Sequence, residues 1–278
     1  MGIIFSFLIG TCFGSFLNCL VYRLSKKRTI LGRSFCPKCL HKLSWSENIP
    51  LFSFFFLKGK CKHCHQSISW QYPLIELAVG LLFAIAFARL SPPVVEQGSL
   101  QGFAFIFSIK TISSLFVQWF IFFILIFIFI YDLRYQEIEL IVLWPAIAVV
   151  LLSSILKGTI FQEGLFILKQ PFFISLLIGT SFFLLQYLIT KGKGIGLGDV
   201  WVGIFMATIL VQPKNLCIAL FSAYVIGALV GLFLLIFYAK SGKYKLKTKI
   251  PLAPFLVLGT FIAIFWGEKI INFYLSKL

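Results

Sequence analysis

Long apolar segments recur along almost the whole chain and constrain its fold more than any other feature of the sequence. A helix needs about 20 apolar residues to cross a bilayer, so we predict an all-α polytopic membrane protein with about eight transmembrane helices. The chain has 60% hydrophobic and 12% charged residues, and its mean hydropathy is +0.99. This composition excludes a water-soluble enzyme. The predicted spans are Gly2–Tyr22, Pro73–Leu90, Gly102–Tyr131, Leu140–Leu156, Pro171–Thr190, Val200–Val211, Leu216–Tyr238 and Pro251–Tyr274.

Basic residues are distributed unevenly among the connections between these predicted helices. Tyr22–Tyr72 holds ten of them against one acid, Glu47. Ala239–Ile250 adds five lysines, and the loop before the sixth span adds Lys191 and Lys193. Because cytoplasmic loops accumulate Lys and Arg, these connections should face the cytoplasm and both termini should face outward. The same distribution explains the net charge of +16 without a nucleic-acid partner.

Four cysteines in the long polar connection form two CxxC pairs separated by 21 residues, Cys36/Cys39 and Cys61/Cys64. This spacing predicts a small zinc ribbon in which four thiolates complete a tetrahedral, structural site. Two disulfides or four unrelated thiols are the alternatives, and a reducing cytoplasm argues against disulfides. The three histidines of the segment are alternative ligands, partners of the ligands or solvated loop residues: His41, His63 and His65.

Only two aspartates occur in the chain, and each lies at the end of an apolar segment. Asp132 follows Phe120–Tyr131, whereas Asp199 follows a glycine-rich stretch and precedes Val200–Val211. The positions of the basic loops put both aspartates at the cytoplasmic ends of their helices, where they can meet. Two carboxylates in one low-dielectric site cannot easily ionise together, so they supply one acid and one base. The pair therefore predicts an aspartic protease that activates water against a peptide carbonyl.

The neighbours of the two aspartates support this interpretation and also offer a simpler one. Gly196 and Gly198 permit φ > 0 and would let an extended substrate backbone approach closely. Alternatively, Asp132 caps the end of its helix or pairs with Arg134, and Asp199 is the N-cap of the next helix.

The chain also carries a series of short motifs, which begins with Gly14-Ser-Phe-Leu-Asn18 and Tyr22-Arg23. The series continues with Cys36-Pro-Lys-Cys39, Asn48-Ile-Pro-Leu51, Lys58-Gly-Lys-Cys61, Cys64, Tyr72-Pro-Leu-Ile-Glu76-Leu77, Gly196-Leu-Gly198-Asp199-Val200 and Pro254-Phe-Leu-Val-Leu-Gly259. In this order and spacing the motifs resemble those of the prepilin peptidases, also called type IV leader peptidases. Members of that family are membrane enzymes that cut prepilins and then N-methylate the new terminus. The resemblance spans nearly the whole chain and is densest near the front.

The resemblance implies roles for most of these residues. It makes Asp132 and Asp199 the catalytic pair, as the count of aspartates indicates independently. The four cysteines fall on the family's metal-binding tetrad. Gly59 and Lys60 fall at positions where the family's methylation activity is sensitive to substitution. Four further residues lie in shared motifs and belong either to a methyl-transfer pocket or to helix-loop docking: Asn18, Arg23, Asn48 and Glu76.

The resemblance also implies cofactors, partners and a location. Zinc would be structural, and S-adenosylmethionine would donate the methyl group. The substrates would be prepilins or pseudopilins with a short basic leader, cut at the cytoplasmic face of the bacterial inner membrane. Three parts are expected. Residues 1–21 form a first transmembrane helix, and residues 22–72 form a cytoplasmic metal-binding loop domain with the four cysteines and the methyltransferase part. Residues 73–278 form a membrane-embedded peptidase.

The chain departs from the family pattern at four places. Ile138-Glu139 stands where the family usually has Pro-Asp or Pro-Asn, Trp201 replaces a Lys, Gln71 an Arg and Ala253 a Gly. A peptidase that no longer methylates is therefore one alternative. The others are a transporter or channel whose aspartates relay protons beside a structural zinc site, and an assembly factor with an inactive pair.

Overall fold

The computed structural model describes residues 1–90, 109–156, 170–239 and 250–277, and within these ranges the chain is helical with no β-strand. Eight of its helices coincide with the eight predicted apolar segments, and a short ninth helix lies in the polar connection. Residues 102–108 of the third predicted span and the basic segment 240–249 lie outside the described residues. The helices are α1 Gly2–Ser25, α2 Phe52–Phe56, α3 Gln71–Leu90, α4 Ile109–Tyr135, α5 Leu140–Leu156, α6 Gln170–Thr190, α7 Leu197–Ile209, α8 Pro213–Ala239 and α9 Ala253–Leu275.

Six of the described helices are long and apolar enough to cross a membrane, namely α1, α3, α4, α6, α8 and α9. The predicted all-α membrane protein is therefore confirmed. The other two apolar helices are shorter, because α5 has 17 residues and α7 has 13. Helix α7 also begins three residues earlier than predicted, at Leu197, so that Asp199 lies inside its first turn.

The described chain divides into two units, Met1–Phe127 and Ile128–Leu278. In the first unit, α1 packs against α3 through glycines that leave room for the neighbouring backbone. A Cβ added at Gly10 would lie 2.8 Å from Gly80 Cα, and one added at Gly14 would lie 2.6 Å from Glu76 Cα. Small residues spaced by four let two helices approach closely in lipid, where packing rather than hydrophobicity drives association. The pair α1 and α3 is the framework on which the polar connection is built.

Trp119 of α4 attaches that helix to α3 within the first unit. Its indole stacks on Phe83 with ring centroids 4.7 Å apart and an interplanar angle of 8°. The indole N–H donates to the carbonyl oxygen of Phe83 at 3.0 Å. The contact thus combines aromatic burial with a hydrogen bond that satisfies the polar end of the ring.

The second unit uses the same close approach between helices. Gly179 of α6 faces Gly203 of α7, and a Cβ added at either position would lie 2.7 Å from the carbonyl oxygen of the other. A Cβ added at Gly259 of α9 would lie 2.2 Å from the carbonyl oxygen of Ala219 in α8. These contacts pair α6 with α7, the helix that carries Asp199, and α8 with α9.

Replacing Gly14 by Ala tests the packing of α1 on α3. The added Cβ would meet a backbone atom that cannot rotate away, so we expect the free energy of unfolding to fall by about 1–3 kcal/mol. Gly231→Ala is the matched control, because no atom lies within 4 Å of a Cβ added there. Thermal unfolding of both variants in the same detergent measures the difference, and equal stabilities would contradict this packing.

Candidate functional site

Asp132 lies in the last turn of α4 and is 7% exposed. Its Oδ2 accepts a hydrogen bond of 3.0 Å from the backbone N–H of Ala253. That N–H belongs to the first turn of α9, where helix geometry leaves backbone donors without intrahelical acceptors. The start of α9 therefore fixes the orientation of this carboxylate.

Asp199 lies in the first turn of α7 and is half-buried. Its Oδ2 accepts a hydrogen bond of 3.0 Å from the backbone N–H of Gly196, the residue that precedes the helix. Asp199 is thus not the N-cap residue but the third residue of the helix, and it turns back to hold the capping residue. This bond is compatible with a catalytic role, because it uses only one carboxylate oxygen.

The glycines before Asp199 differ from the expectation in their backbone conformation. Gly196 has a φ of −81°, and Gly198 is helical, so neither uses the left-handed region. Within residues 191–198 the glycine with positive φ is Gly192, at 74°. Gly198 is needed for another reason, since an added Cβ would lie 2.9 Å from Cβ of Ile138.

The contact between Gly198 and Ile138 brings the segments of the two aspartates together. Ile138 follows α4 by three residues, and Gly198 immediately precedes Asp199. The carboxylates of Asp132 and Asp199 are close enough to interact electrostatically. The structure therefore places the only two aspartates of the chain at one site, each held through one oxygen by a backbone N–H.

Two tyrosines of the second unit donate hydrogen bonds to polar side chains. The hydroxyl of Tyr224 interacts electrostatically with Asp199 and donates to Oε1 of Gln186 at 3.0 Å. The hydroxyl of Tyr131 donates to Oε1 of Glu139 at 2.6 Å, which leaves Glu139 half-buried. The sequence did not single out Tyr224, because only the folded chain brings it near Asp199.

The four cysteines of the polar connection converge, as their spacing predicts. Their sulfur atoms lie within 4.8 Å of one another, and those of Cys36 and Cys64 are 3.9 Å apart. Tetrahedral zinc with bonds of about 2.3 Å separates its sulfur ligands by about 3.8 Å. This four-cysteine cluster can therefore hold a metal ion.

Two similar turns present these thiols. In the first, the N–H of Cys36 donates to the carbonyl of His41, and Leu40 adopts a positive φ of 59°. In the second, the N–H of Cys61 donates to the carbonyl of Gln66, and His65 adopts a φ of 54°. The turns repeat one backbone arrangement, in which each CxxC pair points both sulfurs to one side.

The backbone around Cys61 favours its ionised form. The N–H groups of Cys64 and His63 lower the pKa of the Cys61 thiol to about 7. The backbone of His41 lowers the pKa of Cys39, but burial and hydrogen bonds with the other three thiols together raise it to about 11. Because a thiolate rather than a thiol binds zinc, Cys61 is the better prepared of these two ligands. Four sulfur ligands would complete the coordination shell, which is typical of a structural site.

Arg23 is 4% exposed and organises the loop after α1. Its guanidinium donates to the carbonyl oxygens of Gly32 and Arg33, each at 2.9 Å. It also donates to the carbonyls of Thr29 and Ile30. These contacts support a docking role between helix and loop rather than contact with a substrate.

Asn18 and Glu76 are also buried and bound to backbone groups. Asn18 donates to the carbonyl oxygen of Tyr72 at 3.2 Å, which ties α1 to the start of α3. Oε2 of Glu76 accepts a hydrogen bond of 2.7 Å from the N–H of Leu51. Leu51 has a φ of 62°, an unfavourable conformation for a branched side chain, and the buried carboxylate holds it there.

The other residues of the predicted methylation region are more open to solvent. Asn48 and Lys60 are exposed, and Gly59 is half-buried. Gly59 has a φ of 66°, and its carbonyl accepts a hydrogen bond of 2.7 Å from Ile68. A glycine is needed here because the left-handed conformation is strained for other residues.

Comparison with known proteins gives matches along most of the chain. A model of the bacterial peptidase A24 N-terminal domain matches residues 8–90, and a model of the type IV leader peptidase family matches residues 119–232. The prepilin leader peptidase/N-methyltransferase of Bacillus subtilis is 30% identical over 274 residues, an alignment that covers 97% of this chain and 96% of the relative.

Two further relatives carry the same name. That of Pseudomonas aeruginosa is 27% identical over 308 residues, covering 97% of this chain and 92% of the relative. That of Myxococcus xanthus is 43% identical over 110 residues, which amount to 37% of this chain and only 33% of the relative. No solved structure matches the chain.

Replacing Cys61 by Ser tests the metal cluster. The substitution removes one of four thiolates, so we expect the purified chain to lose the zinc ion of this cluster, about one ion per chain. Cys217→Ser is the matched control, because Cys217 is an exposed thiol of α8 outside the cluster. Elemental analysis after exhaustive dialysis measures the zinc content, and an unchanged content in the Cys61 variant would contradict the site.

Proposed function

Because the chain belongs to the type IV leader peptidase family, we propose that it removes the basic leader of prepilin-like proteins with Asp132 and Asp199 and then methylates the new N-terminus. The relatives that align along nearly the whole chain confirm the predicted family and the predicted enzyme class, a leader peptidase that is also an N-methyltransferase. The observation that carries the residue assignment is the pair of aspartates, each held by one backbone N–H at a common site.

In the proposed cleavage, the pair holds a water molecule between its free oxygens. The bonds to Ala253 and Gly196 occupy Oδ2 of Asp132 and of Asp199 respectively, which leaves Oδ1 of each available. The unprotonated carboxylate takes a proton as the water oxygen attacks the scissile carbonyl, and the protonated one donates to the leaving amine. The peptide bond breaks, and no covalent intermediate with the enzyme forms.

We further propose that this site faces the cytoplasm at the inner membrane of a bacterium. The support is the positive-inside distribution, in which the connection between α1 and α3 has ten basic residues over Tyr22–Tyr72. A substrate helix lying in the bilayer beside the enzyme would bring the end of its leader to the cytoplasmic surface of the membrane, where the two aspartates would lie. The substrates would be prepilins or pseudopilins, as the relatives' names suggest.

Asp132→Asn and Asp199→Asn test the peptidase assignment. Each amide keeps the size of the side chain but cannot exchange a proton, so we expect cleavage of a prepilin in purified membranes to fall by about 10²–10⁴-fold. Glu137→Gln is the control, because this exposed carboxylate lies near the end of α4 outside the pair. Cleavage at the wild-type rate by either aspartate variant would instead favour the transporter or assembly alternatives.

The hydrogen bonds and the burial of the residues in the shared motifs support dividing them into two groups, those that hold the fold and those that take part in methyl transfer. Asn18, Arg23 and Glu76 are buried and bonded to backbone groups, so we assign them to holding the polar connection on α1 and α3. Asn48 and Lys60 are exposed, and we propose that they contact S-adenosylmethionine or the new N-terminus. The charge of Lys60 suits the carboxylate of the methyl donor.

Zinc at the four-cysteine cluster would have a structural role in this part. The ligands Cys36, Cys39, Cys61 and Cys64 would close the connection into one module, and a module of this size commonly depends on a metal for its fold. Gly59 precedes Lys60 and sets its position through the left-handed backbone conformation. No step of the cleavage involves the metal.

Lys60→Gln tests the assignment to methyl transfer. Loss of one charged contact should lower the rate of methylation roughly tenfold, whereas cleavage of the same substrate should continue. The matched control is Lys62→Gln, an exposed lysine of the second CxxC turn. Mass spectrometry of the processed product counts the added methyl group over time. A wild-type product without that group would show a peptidase that does not methylate, and equal rates in the two variants would reject the role of Lys60.

A further inference from the structure

Next to the four cysteines, the polar connection contains a second cluster of groups that can bind metal. The side chains of His41, Glu47 and His63 bring one imidazole nitrogen each and one carboxylate oxygen within 4.8 Å of one another. The chain has three histidines in total, so two of them meet at this cluster. No cysteine of the first cluster belongs to it.

Glu47 is the most informative member of this second cluster. Its side chain is only 6% exposed although it carries a carboxylate. Oε2 accepts hydrogen bonds from the N–H and the hydroxyl of Ser44, at 2.8 and 2.7 Å. These two bonds lower the pKa of Glu47, so the group is held as an anion.

The other carboxylate oxygen of Glu47 has no such partner. Oε1 is buried and forms no hydrogen bond, and it lies 3.7 Å from Nε2 of His63, beyond hydrogen-bonding distance. A buried anionic oxygen without a partner is costly, and such groups are usually paired or bound to a metal. This oxygen therefore lies near the imidazoles and is free to act as a ligand.

The two histidines are arranged as a pair in front of this oxygen. Their ring centroids are 3.4 Å apart with an interplanar angle of 33°. In this arrangement each ring can present one nitrogen to a single ion together with the Glu47 oxygen. The CxxC turns hold them there, because His63 lies between Cys61 and Cys64 and His41 accepts the N–H of Cys36 through its carbonyl.

We propose that His41, Glu47 and His63 form a second metal site, which binds a divalent transition ion such as Zn²⁺ with one coordination position open. Two imidazole nitrogens and one carboxylate oxygen are a ligand set in which zinc retains a position for water or another ligand. The site differs in this respect from the four-cysteine cluster, whose four sulfurs leave no position free. It is also independent of the proposed peptidase and methyltransferase activities, since none of its residues is assigned to them.

The simpler explanation is an ion pair in which a protonated His63 neutralises Glu47. It accounts for the distance of 3.7 Å between Nε2 of His63 and Oε1 of Glu47. It gives no role to His41, however, whose ring lies against that of His63 with the centroids 3.4 Å apart. The two explanations differ in the number of metal ions that the chain binds.

The test is a zinc titration of the full chain, purified in detergent with an affinity tag that contains no histidine. After dialysis against buffered free zinc, elemental analysis should give two ions per wild-type chain and one per chain for Glu47→Gln and for His41→Ala. His65→Asn is the matched control, because His65 is an exposed histidine of the same module and Asn tolerates its positive φ. This control should bind two ions.

A second measurement shows which site each ion occupies and guards against misfolding. X-ray absorption at the zinc edge should show sulfur with nitrogen and oxygen ligands in the wild type, and sulfur ligands alone in Glu47→Gln. The retained sulfur-bound ion reports that the module around the four cysteines is still folded. One ion per wild-type chain, or two in the Glu47 and His41 variants, would overturn the proposal and favour the ion pair.

Discussion

The absence of water from the hydrocarbon core of a bilayer obliges every backbone N–H and C=O there to find its partner within the protein. Helices satisfy this requirement within one segment, which explains why each apolar stretch of the chain is a helix where the structure describes it. Only the first and last turns keep free donors and acceptors. The two aspartates accordingly lie at helix ends, where they meet free backbone donors.

Backbone groups, rather than side chains of opposite charge, hold several of the important ionisable residues. Asp132 and Asp199 each accept a backbone N–H, and Arg23 donates to loop carbonyls. A single backbone N–H orients a carboxylate and stabilises its ionised form without bringing a full positive charge beside it. Such an arrangement suits the proposed exchange of protons with water and with a leaving amine.

Much of this architecture could be predicted because hydrophobic length and cysteine spacing are local signals. The apolar stretches predicted the helices, and the two CxxC pairs predicted a cluster of four sulfurs. The start of α7 was misplaced because Gly198 and Asp199 interrupt the apolar pattern although they lie inside the helix.

Contacts between distant backbone groups could not be predicted. Ala253 holds Asp132 across 121 positions of the chain through its N–H, which every residue type except proline carries, so the residue itself gives no signal. The need for Gly198 likewise depends on Ile138, whose approach only the folded chain reveals. The sequence offered His41 and His63 as alternative ligands, but their meeting with Glu47 and the unpaired oxygen of that carboxylate depend on the folded chain.

The bond from Ala253 to Asp132 also sets the order in which the site can mature during biosynthesis. The carboxylate emerges from the ribosome well before its partner, since the N–H that orients it belongs to the first turn of the final described helix. Until that helix has been translated and inserted, Asp132 has no fixed direction. A chain that lacks this helix therefore lacks the contact that orients Asp132.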